Sequence, residues 1–222
     1  MMNLFETFDP TTSTYFSLNW ISLMLIFIIL PLNFWMIPSR FEIMFILFFN
    51  ITFDEIKSLT KKKYKMNILY FFSLMMFIMT NNFMGLFPYI FTSTSHMLFN
   101  LIIALSSWLS FFIYSWLNKP FLMLIHLVPL NTPIPLMNFM VMIELISNMI
   151  RPFTLSIRLT ANMIAGHLLL TLLGMFISKF LILFPLMILI QNMLMILEIS
   201  VSMIQAYVFS ILSLLYFLES KK

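Results

Sequence analysis

RPFTLSIRLTANMIAGHLLLTLL, residues 151–173, reads as one apolar helix, yet it holds a residue that apolar helices exclude. Arg158 is a permanent cation, and placing a charged side chain at the centre of a bilayer costs roughly 2.5 to 3.5 kcal/mol even on the lenient insertion scale. The stretch is part of a longer one. Residues 136–173 contain no turn signal except Pro152. At 1.5 Å per residue they would reach about 57 Å, against a hydrocarbon thickness near 30 Å. No cluster of Gly, Asn or Ser supplies a reversal that would divide them into two spans, and Pro152 reads as a kink. What remains is a steeply tilted helix.

Residues 178–218 repeat the situation, with Pro185 near the start and an uninterrupted apolar run of about 50 Å after it. The two long segments meet across LGMFISKF, residues 173–180, where Gly174, Ser178 and Lys179 permit a turn. They are expected to form a helical hairpin lying oblique in a membrane.

Residues 15–37 form an apolar stretch of spanning length, with Trp20 and Trp35 placed as interfacial anchors and Pro38 ending it. Residues 41–53, FEIMFILFFNITF, are too short to cross and run into DEIKSLTKKKYK, which predicts a helix lying at one membrane face. Lys57, Lys61, Lys62, Lys63 and Lys65 are the densest positive cluster and mark that side as cytoplasm-like, or matrix in a mitochondrion. Residues 66–90 and 97–117 give two further spans joined by FTSTSH. Asn81, Asn82, Gly85 and Pro88 interrupt the first of them as polar glue and close-packing positions. Residues 118–135 carry Pro120, Pro129, Pro133 and Pro135, which forbid a regular helix and predict a connector. The expected architecture is one all-α membrane unit. Its parts are a first span (1–40), an interfacial helix with the Lys-rich segment (41–65), a transmembrane hairpin (66–117), the connector (118–135) and a long-helix hairpin (136–222).

Composition agrees with a polytopic membrane protein: 62% of the 222 residues are hydrophobic and 9% charged, with a mean hydropathy of +1.02. The absence of cysteine excludes disulfides, thiolate metal sites and cysteine-held iron–sulfur clusters, and three histidines are too few to hold two haems by paired imidazoles. No cofactor is called for. A net charge of +4, scattered along the chain, does not suggest a nucleic-acid partner. MMNLFETFDP has neither the basic start of a secretory signal nor the arginines of a transit peptide, so the chain is expected to be used as made. Abundant Met, Phe, Ile and Asn look like the AT-rich coding bias of an organelle genome.

Polar residues in this background form stripes. Glu144, Arg151 and Arg158 fall seven apart, a drift of about 20° per step, and Asn162 extends the stripe by one turn. Glu144 and Arg151 admit two readings, a buried ion pair or part of a charge path. Arg158 has no acid at i ± 3 or i ± 4 on its own helix, so its counter-charge must come from elsewhere. The second long segment carries Glu198, Ser202 and Gln205. In an antiparallel hairpin, residues face one another when their numbers share a midpoint, and one register then pairs His167 with Glu198 and Arg158 with Gln205. In that register His167 and Glu198 exchange protons through water, and Gln205 holds the Arg158 side chain by a neutral hydrogen bond.

RLTANMIAGH resembles subunit a of the F-type ATP synthase. The resemblance extends from NNFMGLFPYIF through IELISNMIRPFTLSIRLTANMIAGH to EISVSMIQAYVFSILSLLYF and covers most of the chain. It implies that Arg158 is the essential arginine facing the carboxylates of a rotating ring of c subunits. It also implies that Asn162, His167, Glu198 and Gln205 belong to two offset aqueous half-channels, with Glu144 and Arg151 further along the same helix. Bacterial relatives typically carry an acid where His167 stands and a histidine where Glu198 stands; the swapped pair resembles the mitochondrial form, and FETFDP resembles insect versions. The implied setting is the mitochondrial inner membrane, with residues 57–65 on the matrix side and the N-terminus in the intermembrane space. The implied partners are the c-ring, other membrane stator subunits, lipid, water and protons. The implied role is to couple proton flow to rotation without binding or hydrolysing ATP.

The competing reading is a self-contained secondary transporter. It expects internal repeats and glycine-rich broken helices, and three glycines with no visible repeat argue against it. A purely structural respiratory subunit would tolerate leucine at position 158.

Overall fold

Ser39 starts an α-helix with a capping box. Its hydroxyl accepts from the Glu42 backbone N–H at 3.3 Å, while its own N–H donates to Glu42 Oε2 at 2.6 Å. This helix, α1, runs Arg40–Leu59, so the apolar stretch and the following DEIKSL form one element. The computed structural model describes residues 5–13, 15–25, 27, 37–60, 65–118, 120–128, 136–180 and 184–220. Much of the expected first span, Trp35 among it, and Lys61, Lys62 and Lys63 lie outside these. The described part of that span contains a 3-10 helix over Leu18–Met24. Trp20 packs there against the rings of His96 at 5.2 Å and Phe91 at 5.7 Å, so its indole is held by protein rings.

After α1 come α2 (Lys65–Gly85), α3 (Met97–Asn118), α4 (Pro120–His126), α5 (Met137–Lys179) and α6 (Phe184–Ser220). Four helices among the described residues are long and apolar enough to cross a membrane: those containing Asn67–Gly85, Met97–Asn118, Met137–Lys179 and Phe184–Leu218. The chain is thus an all-α, multi-span membrane protein. The short α4 falls inside the segment expected to be irregular. Pro120 occupies its first position, where the missing N–H is not needed and the fixed φ favours a helix.

The turn between the long helices also differs from expectation. α5 continues through Gly174 and Ser178 to Lys179. A Cβ at Gly174 would meet nothing within 4 Å, and the Ser178 hydroxyl donates back to the Met175 carbonyl at 2.8 Å. A single glycine weakens a helix by only about 1 kcal/mol, so it does not impose a stop. Pro185 sits in the first turn of α6, where a proline is tolerated, and Pro152 is buried within a continuous α5. α5 has 43 residues and α6 has 37. At 1.5 Å per residue these reach about 65 and 55 Å, far beyond one bilayer crossing.

α2 lies chiefly on α6 and α3 on α5, and the two long helices pack on each other. Ile56, Ile68, Phe71, Met75, Leu214 and Phe217 close the junction of α1, α2 and α6. Leu74, Ile78, Ala104, Leu155, Leu159, Ala206 and Phe209 bring α2, α3, α5 and α6 together. Small polar residues fill the tight places. The buried hydroxyls of Ser107, Ser156, Ser202 and Ser210 each return to a carbonyl three residues back, which satisfies their donors within the helix. The outer faces of α5 and α6 expose Met142, Ile146, Met149, Phe153, Ile157, Leu189, Met193, Ile196 and Ile204. Such a surface suits hydrocarbon rather than water.

Candidate functional site

Two contacts fix the register of α5 against α6. Gln205 Nε2 donates to the Arg158 carbonyl oxygen at 3.0 Å. A Cβ placed on Gly166 would lie 2.9 Å from both Cδ and Oε1 of Glu198, so the missing side chain at Gly166 is what makes room for that carboxyl. Gln205 thus stands opposite Arg158 as the antiparallel register predicts, whereas Glu198 meets Gly166 and not His167, the residue that the same register sets opposite it; the neighbouring position on a helix points about 100° away, and His167 faces a different space.

Asn162, Gly166, Glu198, Ser202 and Gln205 line one cavity of about 250 Å³. Four of the sequence-predicted path residues therefore open into a single space. Glu198 is 9% exposed, and both of its carboxyl oxygens are buried with no hydrogen-bond partner among the described residues; Gln205 Oε1 is in the same condition. Buried acceptors of this kind ordinarily find water when the space admits it, and this cavity has room for several molecules.

Arg158 stands one turn before Asn162, and its side chain is exposed on the apolar outer face near Phe153 and Ile157. No carboxylate among the described residues forms an ion pair with it. Gln205 does not hold its side chain, contrary to the expectation from sequence. A guanidinium offers five donors and no acceptor, so the amide nitrogen of Gln205 can serve only the backbone oxygen of Arg158. The residue is thereby positioned through its main chain, and its cation is left without a carboxylate partner among the described residues.

His167 opens into a neighbouring and larger cavity of about 550 Å³, together with Glu6, Asp9, Asn19, Thr171 and Gln191. Its ring lies against the Gly85 backbone and is met edge-on by Phe8 at 6.4 Å; its Nε2 is buried and unpartnered among the described residues. His167 and Glu198 thus line adjacent cavities. Leu86 contributes to the walls of both.

Glu144 and Arg151 stand apart from both cavities. Arg151 Nη2 approaches Glu144 Oε1 at 3.8 Å, and its guanidinium lies 5.2 Å from the centre of the Tyr216 ring. Gln191, Glu6 and Asp9 were not among the residues singled out from sequence. Gln191 carried a readable signal, since Gln191, Glu198 and Gln205 repeat every seven residues along α6. The N-terminal acids carried none, because the chain distance to His167 gives no hint of contact.

A family model described as ATP synthase A chain matches residues 15–218. ATP synthase subunit a of Apis mellifera ligustica is 58% identical over 222 residues, with 99% of this chain and 97% of the relative aligned. The subunits a of Locusta migratoria and Drosophila melanogaster are each 51% identical, with 97% of both chains covered.

Proposed function

The chain belongs to the family of ATP synthase A chains, and we propose that it conducts protons through two offset half-channels to and from carboxylates on a rotating c-ring. Members of this family are non-catalytic membrane components of the F-type ATP synthase, so nucleotide chemistry happens elsewhere in the complex. The observation that carries the reading is an exposed Arg158 with no ion pair among the described residues, one helical turn from a cavity lined by Asn162, Glu198, Ser202 and Gln205.

On this reading a proton arrives from the lysine-poor side, passes His167 in the outer cavity and Glu198 in the inner one, and neutralises a ring carboxylate. A neutral carboxylic acid can turn through lipid, whereas the ionised form cannot. After nearly a full turn the acid meets Arg158. The guanidinium never deprotonates at physiological pH, so it favours the ionised carboxylate and drives the proton off into the second half-channel. The Glu144 and Arg151 stripe belongs to that release side. A fixed cation between the half-channels also repels a proton from a direct leak. Each charge crossing 100 mV yields about 2.3 kcal/mol, and offset channels let only rotation collect it.

The lengths of α5 and α6 support a strongly oblique course for both, which lets the stripe on each follow the rim of a ring. In the proposed arrangement α1, with Lys57 in its last turn, lies at the matrix face, and the N-terminus faces the intermembrane space. The membrane is the mitochondrial inner membrane, and the partners are the c-ring and other stator subunits. A self-contained transporter would hold the counter-charge for Arg158 within its own chain. Cysteines at Ile157 or Ala161 in the assembled complex should cross-link to the carboxylate-bearing helix of the ring. Failure of every such pair in an assembled, active complex would contradict the proposal.

A further inference from the structure

We infer that Leu86 is an apolar gate between the two cavities on the proton-uptake side, and that its bulk sets how readily a proton passes from the His167 space to the Glu198 space. The inference rests on the uptake route proposed above. Leu86 is 7% exposed and lines both the larger cavity with His167 and the smaller one with Glu198.

Its position is fixed by the residue before it. A Cβ at Gly85 would lie 3.1 Å from Met163 Cε and 3.3 Å from Thr92 Cγ2. Met163 belongs to the inner cavity wall and Thr92 to the outer one. The bare backbone at Gly85 thus lets the end of α2 close onto α5 just where the two spaces meet, which wedges the next side chain between them. Tight turns hold it there: Leu86 N–H donates to the Phe83 carbonyl at 3.3 Å and Phe87 N–H to that of Met84 at 3.2 Å.

The chemistry on the two sides differs from the chemistry between them. His167 and Glu198 can each carry a proton and each open onto space for water, whereas a leucine side chain can neither donate nor accept. Proton hopping requires a continuous chain of hydrogen bonds, and an apolar constriction interrupts such a chain by excluding water from it. A rotamer change at one leucine admits a transient water bridge, so the side chain acts as a valve.

The test is passive proton uptake by the assembled synthase in vesicles, with its catalytic head removed, normalised to the amount of intact complex. Leu86→Ala should raise the flux and Leu86→Phe should lower it, each by at least about threefold, while the similarly sized Leu86→Met stays near wild type. A residue that only packs would give losses in both Ala and Phe variants, and that result overturns the gate, as does unchanged flux in both. Glu198→Gln distinguishes the two levels. If it blocks uptake while the Leu86 variants behave as wild type, the gate alone falls. If Glu198→Gln leaves uptake unchanged, the route falls and the gate with it.

Discussion

Gln205 reaches across from α6 to bond the Arg158 carbonyl at 3.0 Å, so the amide that sits opposite the cation touches its main chain and leaves its charge untouched. The distinction matters because the proposed role requires the charge to remain available to a partner. Replacing Gln205 with Leu removes one partly buried hydrogen bond and should cost about 1 kcal/mol of stability, with a moderate loss of proton-driven synthesis. Gln205→Glu keeps the size but brings a carboxylate to the same helical turn, where it can pair with Arg158. It should therefore depress synthesis more than the leucine variant. Equal activity of the two variants, at equal assembly, would contradict an unneutralised Arg158.

Arg158→Lys keeps a cation on the apolar face but loses the planar fork and the fixed protonation of a guanidinium. A lysine ammonium facing hydrocarbon can shed its proton, and the ring carboxylate would then lack the charge that drives release. Proton-driven ATP synthesis by the assembled complex should fall by at least about tenfold, which corresponds to a barrier increase of about 1.4 kcal/mol. Normal coupled turnover in that variant would remove the role assigned to the guanidinium.

Gly166 and Glu198 should behave as one unit. An alanine at 166 places a methyl group 2.9 Å from Glu198 Cδ and Oε1, closer than van der Waals contact allows, and so displaces the carboxyl from its seat. Gly166→Ala is expected to slow proton uptake while the complex still assembles. Shortening the acid by one methylene restores the space, so the double variant Gly166→Ala with Glu198→Asp should conduct better than the two single losses combined predict. Strictly additive losses would show that the contact does not matter for the path.

The long helices, the spacing of polar residues along them and the facing of Arg158 by Gln205 are legible in the sequence for one physical reason, while the pairing of His167 with Glu198 is not met. In a chain with 9% charged residues, every polar side chain inside an apolar run is a signal, and its spacing reports the face it occupies. An absence of bulk or of polarity leaves no such mark. Gly174 looked like a turn and is an ordinary helical residue; Gly166 looked unremarkable and makes the seat for Glu198. Gln205 meets the carbonyl of Arg158 and not its side chain, a choice that spacing cannot make, since it selects a residue and not an atom. Leu86 was invisible among many leucines. The packing of α2 on α6 and α3 on α5 was equally hidden, since sequence adjacency favours a hairpin and gives no measure of how far apart its arms stand.

Glu144 and Arg151 approach each other along one face of α5. Their side chains are 37% and 34% exposed and their closest approach is 3.8 Å, and Arg151 also lies over Tyr216. A partly exposed pair of this kind contributes little, so Glu144→Gln should destabilise the protein by less than about 1 kcal/mol. If the stripe belongs to the release side, the same variant should slow passive proton flux, but less than Glu198→Gln does, because a partly solvated position leaves water to carry the proton past a missing charge. Paired measurements of thermal stability and of flux separate the two contributions. A flux indistinguishable from wild type, with only the small stability change present, would reduce the pair to a packing contact and shift the release path elsewhere.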